Sequence, residues 1–132
     1  MNEKQAILCV DDEVIILLSL VQELKRFFGG KYLYEKALDA EAALCTVREL
    51  AAENVRVMFI VSDWLMPGMK GDEFLEVIHR EYPSIRAILI TGQADEKALS
   101  RVRSNESVVA VFKKPWNPND LIETIAHHSV DS

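Results

Sequence analysis

Five short apolar runs punctuate the chain: AILCV (residues 6–10), the weaker YLYEKA (32–37), VRVMFIV (55–61), AILI (87–90) and VVAVF (108–112). A short run that is apolar along its whole length leaves no wet face and suits a strand covered on both sides. Between the runs lie stretches with the i, i+3, i+4 spacing of helices. Val14, Leu17, Leu18, Val21, Leu24 and Phe28 mark a first helix face, stopped by Gly29 and Gly30. Asp39 caps a second helix with Ala43, Leu44, Val47 and Leu50 inward. Phe74, Val77, Ile78 and Tyr82 mark a third, ended by Pro83. Ala98, Leu99 and Val102 mark a short, thinly apolar fourth, from about Glu96 to Arg103. Asn117 as cap and Pro118 as first helical residue open a fifth, with Leu121, Ile122, Ile125 and Ala126 inward. Strand and helix therefore alternate five times. With right-handed crossovers this predicts an α/β fold: a five-stranded parallel sheet, doubly wound, with helices on both faces.

The 132 residues suffice for one domain with its own core, expected to be 1–132 with a core of about 3–128. Apolar residues make up 49% and charged ones 27%, an ordinary globular balance. The net charge of −6 argues against a general nucleic-acid or anionic-membrane surface. The longest apolar runs, VIILLSLV and VMFIV, are too short to span a bilayer, and Met1 is followed by NEKQ rather than a leader. A cytoplasmic location is expected, with Cys9 and Cys45 as two buried, reduced thiols. No repeat or linker interrupts the pattern.

In a doubly wound sheet, ligands collect beyond the carboxyl ends of the strands, at the switch in winding direction. After the first run come Asp11, Asp12 and Glu13; after the third, Asp63; after the fourth, Thr91; after the fifth, Lys113 and Lys114. Taken singly, each has an ordinary explanation. An Asp at a strand end is commonly a cap or turn residue, and Asp12 or Glu13 can favour a helix start through its dipole. Thr91 can be a turn hydroxyl, and a lysine before proline a solvated one. Together they put several carboxylates, a hydroxyl and an ammonium on one rim. Gathered carboxylates repel one another and suit a hard divalent cation such as Mg²⁺. Without metal, at least one of these acids is expected to titrate above its ordinary value.

The segments ILCVDDE, VSDWLMPGMKGDEFL, ILITG and FKKPW occur in the order found in receiver domains of bacterial two-component response regulators. The chain resembles that family from about Glu3 to His128. The resemblance implies a flavodoxin-like sandwich with strand order 2-1-3-4-5. It implies that Asp63 is the phosphoacceptor, taking a phosphoryl group from the phosphohistidine of a partner kinase. Asp12 resembles the direct metal ligand and Asp11 a second acid acting mostly through water. The backbone carbonyl of Leu65 would complete the protein ligands to Mg²⁺ (or Mn²⁺), together with Asp63. Thr91 resembles the hydroxyl that swings onto the phosphoryl oxygens, and Lys114 the lysine that pairs with the acceptor. The implied protein is a regulatory switch rather than an enzyme, beyond self-catalysed phosphoryl transfer and loss. Its implied partners are a sensor histidine kinase or phosphotransfer protein. An output domain or a second copy would use the face of helix four, strand five and helix five, without direct nucleic-acid or membrane contact. The residue chemistry agrees: an aspartate is a competent nucleophile toward phosphorus, and the transfer needs positioning and charge neutralisation more than acid–base help.

Some positions depart from the family pattern. Val111 stands where many receivers carry an aromatic switch residue, and Phe112 is expected on the opposite sheet face. Leu65 and Gln93, each two residues after a site residue, leave one apolar and one polar neighbour near the acceptor, which predicts a long-lived phosphoryl group. Trp64 and Trp116 read as packing or cover, with Trp116 alternatively part of a partner surface. His79, His127 and His128 show no metal-ligand spacing and read as surface residues. An aspartyl-phosphate phosphohydrolase is disfavoured, because Leu65 replaces the second acid that class needs. A flavin carrier is disfavoured because DDEV would repel a phosphate. A receiver fold acting only as a docking scaffold is the remaining rival. The chain ends at HHSVDS soon after the fifth helix, as a stand-alone receiver or the first domain of a longer protein would.

Overall fold

The computed structural model describes residues 3–93 and 95–129; the closing residues 130–132 of HHSVDS, with residues 1, 2 and 94, lie outside them. The elements are β1 (Lys4–Val10), α1 (Val14–Phe28), a 3₁₀ turn (Gly29–Lys31), β2 (Leu33–Ala37), α2 (Ala40–Ala52), β3 (Val55–Asp63), α3 (Gly71–Glu81), β4 (Arg86–Thr91), α4 (Glu96–Arg103), β5 (Val108–Lys113) and α5 (Pro118–Ser129). The strands form one parallel sheet in the order β2-β1-β3-β4-β5. This is the doubly wound α/β sandwich expected from the pattern.

The sheet separates two apolar layers. On one side β-strand residues such as Leu8, Ile60 and Leu89 pack with α2, α3 and α4 through Val47, Phe74, Ile78 and Val102. On the other, Ile7, Cys9, Phe59 and Ile88 pack with α1 and α5 through Leu17, Leu24, Leu121 and Ile125. Alternate strand residues serve alternate layers, which is why each central strand is apolar throughout. The winding direction changes between β1 and β3, so their carboxyl ends border the cleft such a topology creates.

α1 keeps Leu17, Val21 and Leu24 of the expected stripe inward, with Phe28 packed on the same layer, and departs from it in its first turns. Leu17, Leu20, Val21 and Leu24 are buried, whereas Val14 and Leu18 are exposed and Ile15 is 83% exposed. VIILLSLV is apolar nearly all round, so its periodicity leaves the phase open and the sheet decides it. Cys9 is buried as expected, and burial pushes its thiol up to about 12. Cys45 is exposed: its neighbours Ala43, Leu44 and Val47 form the inner face of α2, and position 45 falls outside it. His79 is half-buried rather than at the surface, with Nδ1 2.5 Å from Ser107 Oγ, and half-buried His128 lies with Nδ1 2.8 Å from Thr124 O. Tyr32 precedes β2 and is buried in the α1 layer.

Candidate phosphoacceptor site

Each strand delivers its polar residue where the apolar run ends. Asp11 follows β1, and its backbone N–H donates to Ala37 O at 3.2 Å, tying the turn to the end of β2. Its Oδ1 accepts from Glu13 N at 2.9 Å, which folds the chain sharply into α1. Asp63 is the last residue of β3 and is 6% exposed. Its Oδ1 accepts from Trp64 N at 2.9 Å. Thr91 ends β4 opposite Lys113, and Lys114 N donates to Thr91 O at 2.9 Å, extending the pairing by one residue. That extension settles which lysine turns inward. Lys113 is exposed, whereas Lys114 Nζ lies 2.9 Å from Asp11 Oδ2 and 3.2 Å from Asp63 Oδ1.

One carboxylate oxygen from each of Asp11, Asp12 and Asp63 lies within 4.8 Å of the others. Asp11 and Asp63 are buried and Asp12 is exposed, so the cluster opens outward through Asp12. Burial raises the Asp63 pKa above the ordinary carboxylate value, the Asp11 charge adds to the rise, and Lys114 with the Trp64 N–H opposes it. For Lys114, burial alone would lower the pKa, but the bonds and charges of Asp11 and Asp63 outweigh it and hold the ammonium firmly charged. One cation thus serves two buried carboxylates with a third nearby. The surplus of negative charge and the convergence of hard oxygen donors fit Mg²⁺.

Asp12, Asp63, Leu65, Thr91, Gln93 and Lys114 line an open cleft of ≈ 670 Å³. Leu65 contributes an exposed apolar wall. The Thr91 hydroxyl lines the cleft but is engaged locally: it donates to Gln93 O at 2.5 Å and accepts from Gln93 N at 3.1 Å. Of the residues expected at the rim, Asp11, Asp12, Asp63, Thr91 and Lys114 are brought together, and Lys113 is not.

Gly71 shapes the loop after Asp63. Its N–H donates to Trp64 O at 2.7 Å, and a Cβ there would lie 2.2 Å from Asp63 O and 2.8 Å from Trp64 Cα. The start of α3 must press against the backbone of Asp63 itself, which only glycine permits. Trp64 turns inward, and its Nε1 donates to buried Asp72 at 2.8 Å. Trp116 Nε1 donates to Glu23 on α1 at 2.8 Å. Phe112 packs on the α1 layer as expected, while Val111 is 40% exposed. Asp72 escaped the sequence reading: in MKGDEF it resembles any acid at a helix start, where the dipole alone explains it.

A parallel five-stranded sheet with acids at its switch point, a hydroxyl on the neighbouring strand and a lysine on the next defines a doubly wound α/β receiver-type site. The chain belongs to the response regulator receiver domain family, which it matches over residues 7–126. It is 32% identical over 126 residues to the hydrogenase transcriptional regulatory protein HoxA of Cupriavidus necator, covering 95% of this chain and 24% of that protein. It is 28% identical over 119 residues to the sensor kinase CckA of Brucella abortus, covering 90% of this chain and 12% of that one. The chain therefore spans a quarter or less of these relatives. Among solved structures, the CheY-like receiver domain protein of Methanospirillum hungatei superposes with a TM-score of 0.81 at 33% identity, over 96% of this chain and 94% of the other. The signal receiver domain of an HD domain-containing protein of Pseudomonas fluorescens gives 0.80 at 30% identity, with the same coverage. Receiver domains are regulatory switches that interact with sensor histidine kinases and generally bind Mg²⁺ at an acidic pocket. Among the described residues, no helix is long and apolar enough to cross a membrane.

Proposed function

We propose that this chain is a cytoplasmic phosphoacceptor switch, one domain over 1–132 with its core at about 3–128. A partner histidine kinase or phosphotransfer protein phosphorylates Asp63. The observation that carries this reading is Lys114 Nζ, held between Asp11 and Asp63 at 2.9 and 3.2 Å beside a third carboxylate. An Asp63 oxygen attacks phosphorus in line; the P–N bond of the donor breaks, and the histidine nitrogen keeps that electron pair. Asp11, Asp12, Asp63 and the Leu65 carbonyl would hold Mg²⁺ (or Mn²⁺), with Asp11 acting through water. Bound there, the metal supplies neutralisation of the phosphoryl oxygens. Lys114 neutralises another oxygen and steadies the acceptor. Thr91 leaves Gln93 and donates its hydroxyl to the phosphoryl group. The added group brings roughly −1.5 to −2 charges and strong acceptors, enough to bias a two-state element. The readout is the face of α4, β5 and α5, used by an output domain or a second copy, with no direct nucleic-acid or membrane contact by this domain. The exposed Val14, Ile15 and Leu18 of α1 offer the phosphoryl donor protein an apolar surface.

Incubation with acetyl phosphate and Mg²⁺, followed by intact mass, tests this reading. Wild type should gain one phosphoryl group, and Asp63→Asn none. An unmodified wild type would favour the docking-scaffold reading, and labelling of Asp63→Asn at the native rate would remove Asp63 from its role.

A further inference from the structure

α4 is held by little apolar surface. In eight residues it buries only Ala98 and Val102. Its firmest tether is polar. Arg101 Nη1 donates to Asp72 Oδ2 at 2.9 Å, and Arg101 Nε lies 2.9 Å from Glu76 Oε2, so one guanidinium joins α4 to two acids of α3.

Asp72 is not an ordinary surface partner. It is 3% exposed, and its other oxygen accepts from the Trp64 indole at 2.8 Å. A carboxylate this deep needs both bonds, because losing either leaves a buried charge short of a partner. Trp64 in turn donates its backbone N–H to the Asp63 carboxylate at 2.9 Å. Hydrogen bonds, joined through the covalent frame of Trp64 between its backbone and indole N–H groups, therefore link Asp63 to Asp72 and Arg101 on α4. The Thr91 hydroxyl is turned to Gln93 in the same structure, so this series belongs to the resting arrangement. Phosphorylation would alter its first link, because the Asp63 carboxylate that accepts from Trp64 N–H becomes an acyl phosphate. With Val111 at β5, no aromatic side chain stands there to carry the signal.

We propose that Trp64, Asp72 and Arg101 form the route by which the state of Asp63 sets the position of α4, with Asp72 and Arg101 as positioning residues. The proposal deepens the phosphoacceptor reading and rests on it. By linkage, if the Arg101 tether favours the resting arrangement, breaking it must favour capture of a phosphoryl mimic to the same degree.

Arg101 is 46% exposed and lies outside both apolar layers, and Asp72 keeps the Trp64 indole, so Arg101→Gln should cost local stability at α4 and leave the sheet folded, which the amide spectrum of β1 and β3 checks. The test compares ¹⁵N-labelled wild type with Arg101→Gln. Without ligand, Arg101→Gln should move the Trp64 indole resonance and leave that of Trp116, bonded to Glu23, in place. A Trp64 resonance that does not move would overturn the proposed route. With Mg²⁺ and beryllofluoride, amide exchange in α4 should change in wild type, and that change should shrink by at least half in Arg101→Gln. The beryllofluoride midpoint should tighten about three- to fivefold, with Arg101→Lys between the two. A purely structural tether would loosen α4 equally in both states and leave the midpoint in place, which would overturn the coupling alone. Failure of wild type to bind beryllofluoride would overturn the phosphoacceptor reading and the coupling with it.

Discussion

Lys114 is placed between two buried acids that have too little positive charge around them. Replacing it with Gln should separate two roles. Mg²⁺ affinity should rise, because the cluster loses its competing cation, while phosphorylation by acetyl phosphate should slow by about a hundredfold or more. Calorimetry and intact-mass kinetics measure the two, and slower labelling caused by weaker metal binding would contradict this account. Leu65 raises a separate question. Its exposed apolar side chain lines the cleft with Asp63 and offers no hydrogen bond to an attacking water, whereas the Gln93 amide carries such groups. Leu65→Asn should therefore shorten the phosphoryl lifetime several-fold, and an unchanged or longer lifetime would rule that role out. These rim residues were legible in the sequence because each directly follows an apolar strand, where chain direction alone fixes its place. The Trp64–Asp72–Arg101 series was not, because its members lie up to 37 positions apart (64 to 101) and such pairing leaves no local pattern.

Among the elements, α4 and α1 show what periodicity conveys and what it leaves open. The few apolar residues of α4 correctly marked a weakly packed helix, and Asp95 caps it by accepting from Ala98 N at 2.7 Å. Asp95→Ala should cost about 1 kcal/mol of α4 stability. Hydrogen exchange should show the loss within Glu96–Arg103, with β1 and β3 unchanged. Spread of the effect to the central strands would mean that α4 is part of the global folding unit. In α1 the apolar residues outnumber those the sheet can cover, so periodicity placed Leu17, Val21 and Leu24 inward correctly but also counted in Val14 and Leu18. The surplus, Val14, Ile15 and Leu18, is left in solvent beside the acidic cleft.

For the molecule as a whole, the acids at the rim set the response to pH and metal. Asp63 has a raised pKa in the fold and an ordinary one in the unfolded chain. Between those two values the folded state binds more protons, so metal-free stability should fall as pH rises through that window. Lys114 shifts in the same direction at the other end of the scale: its raised value makes its contribution complete at neutral pH and lost only at strongly alkaline pH. Divalent metal binds the deprotonated carboxylates, so its stabilisation should grow as pH rises from about 4 to about 7. Thermal unfolding with and without about 10 mM Mg²⁺ across that range checks both slopes. A metal-induced rise in Tm that is largest at acid pH would be incompatible with carboxylate ligands. The sheet also has a consequence for how such a protein works. Its two apolar layers are separate, and α4 belongs to one while α1 and α5 belong to the other. Movement of α4 therefore requires no repacking beneath α1 and α5. Change on one side of the sheet can proceed while the other keeps its packing, with Asp63 at the strand end between them.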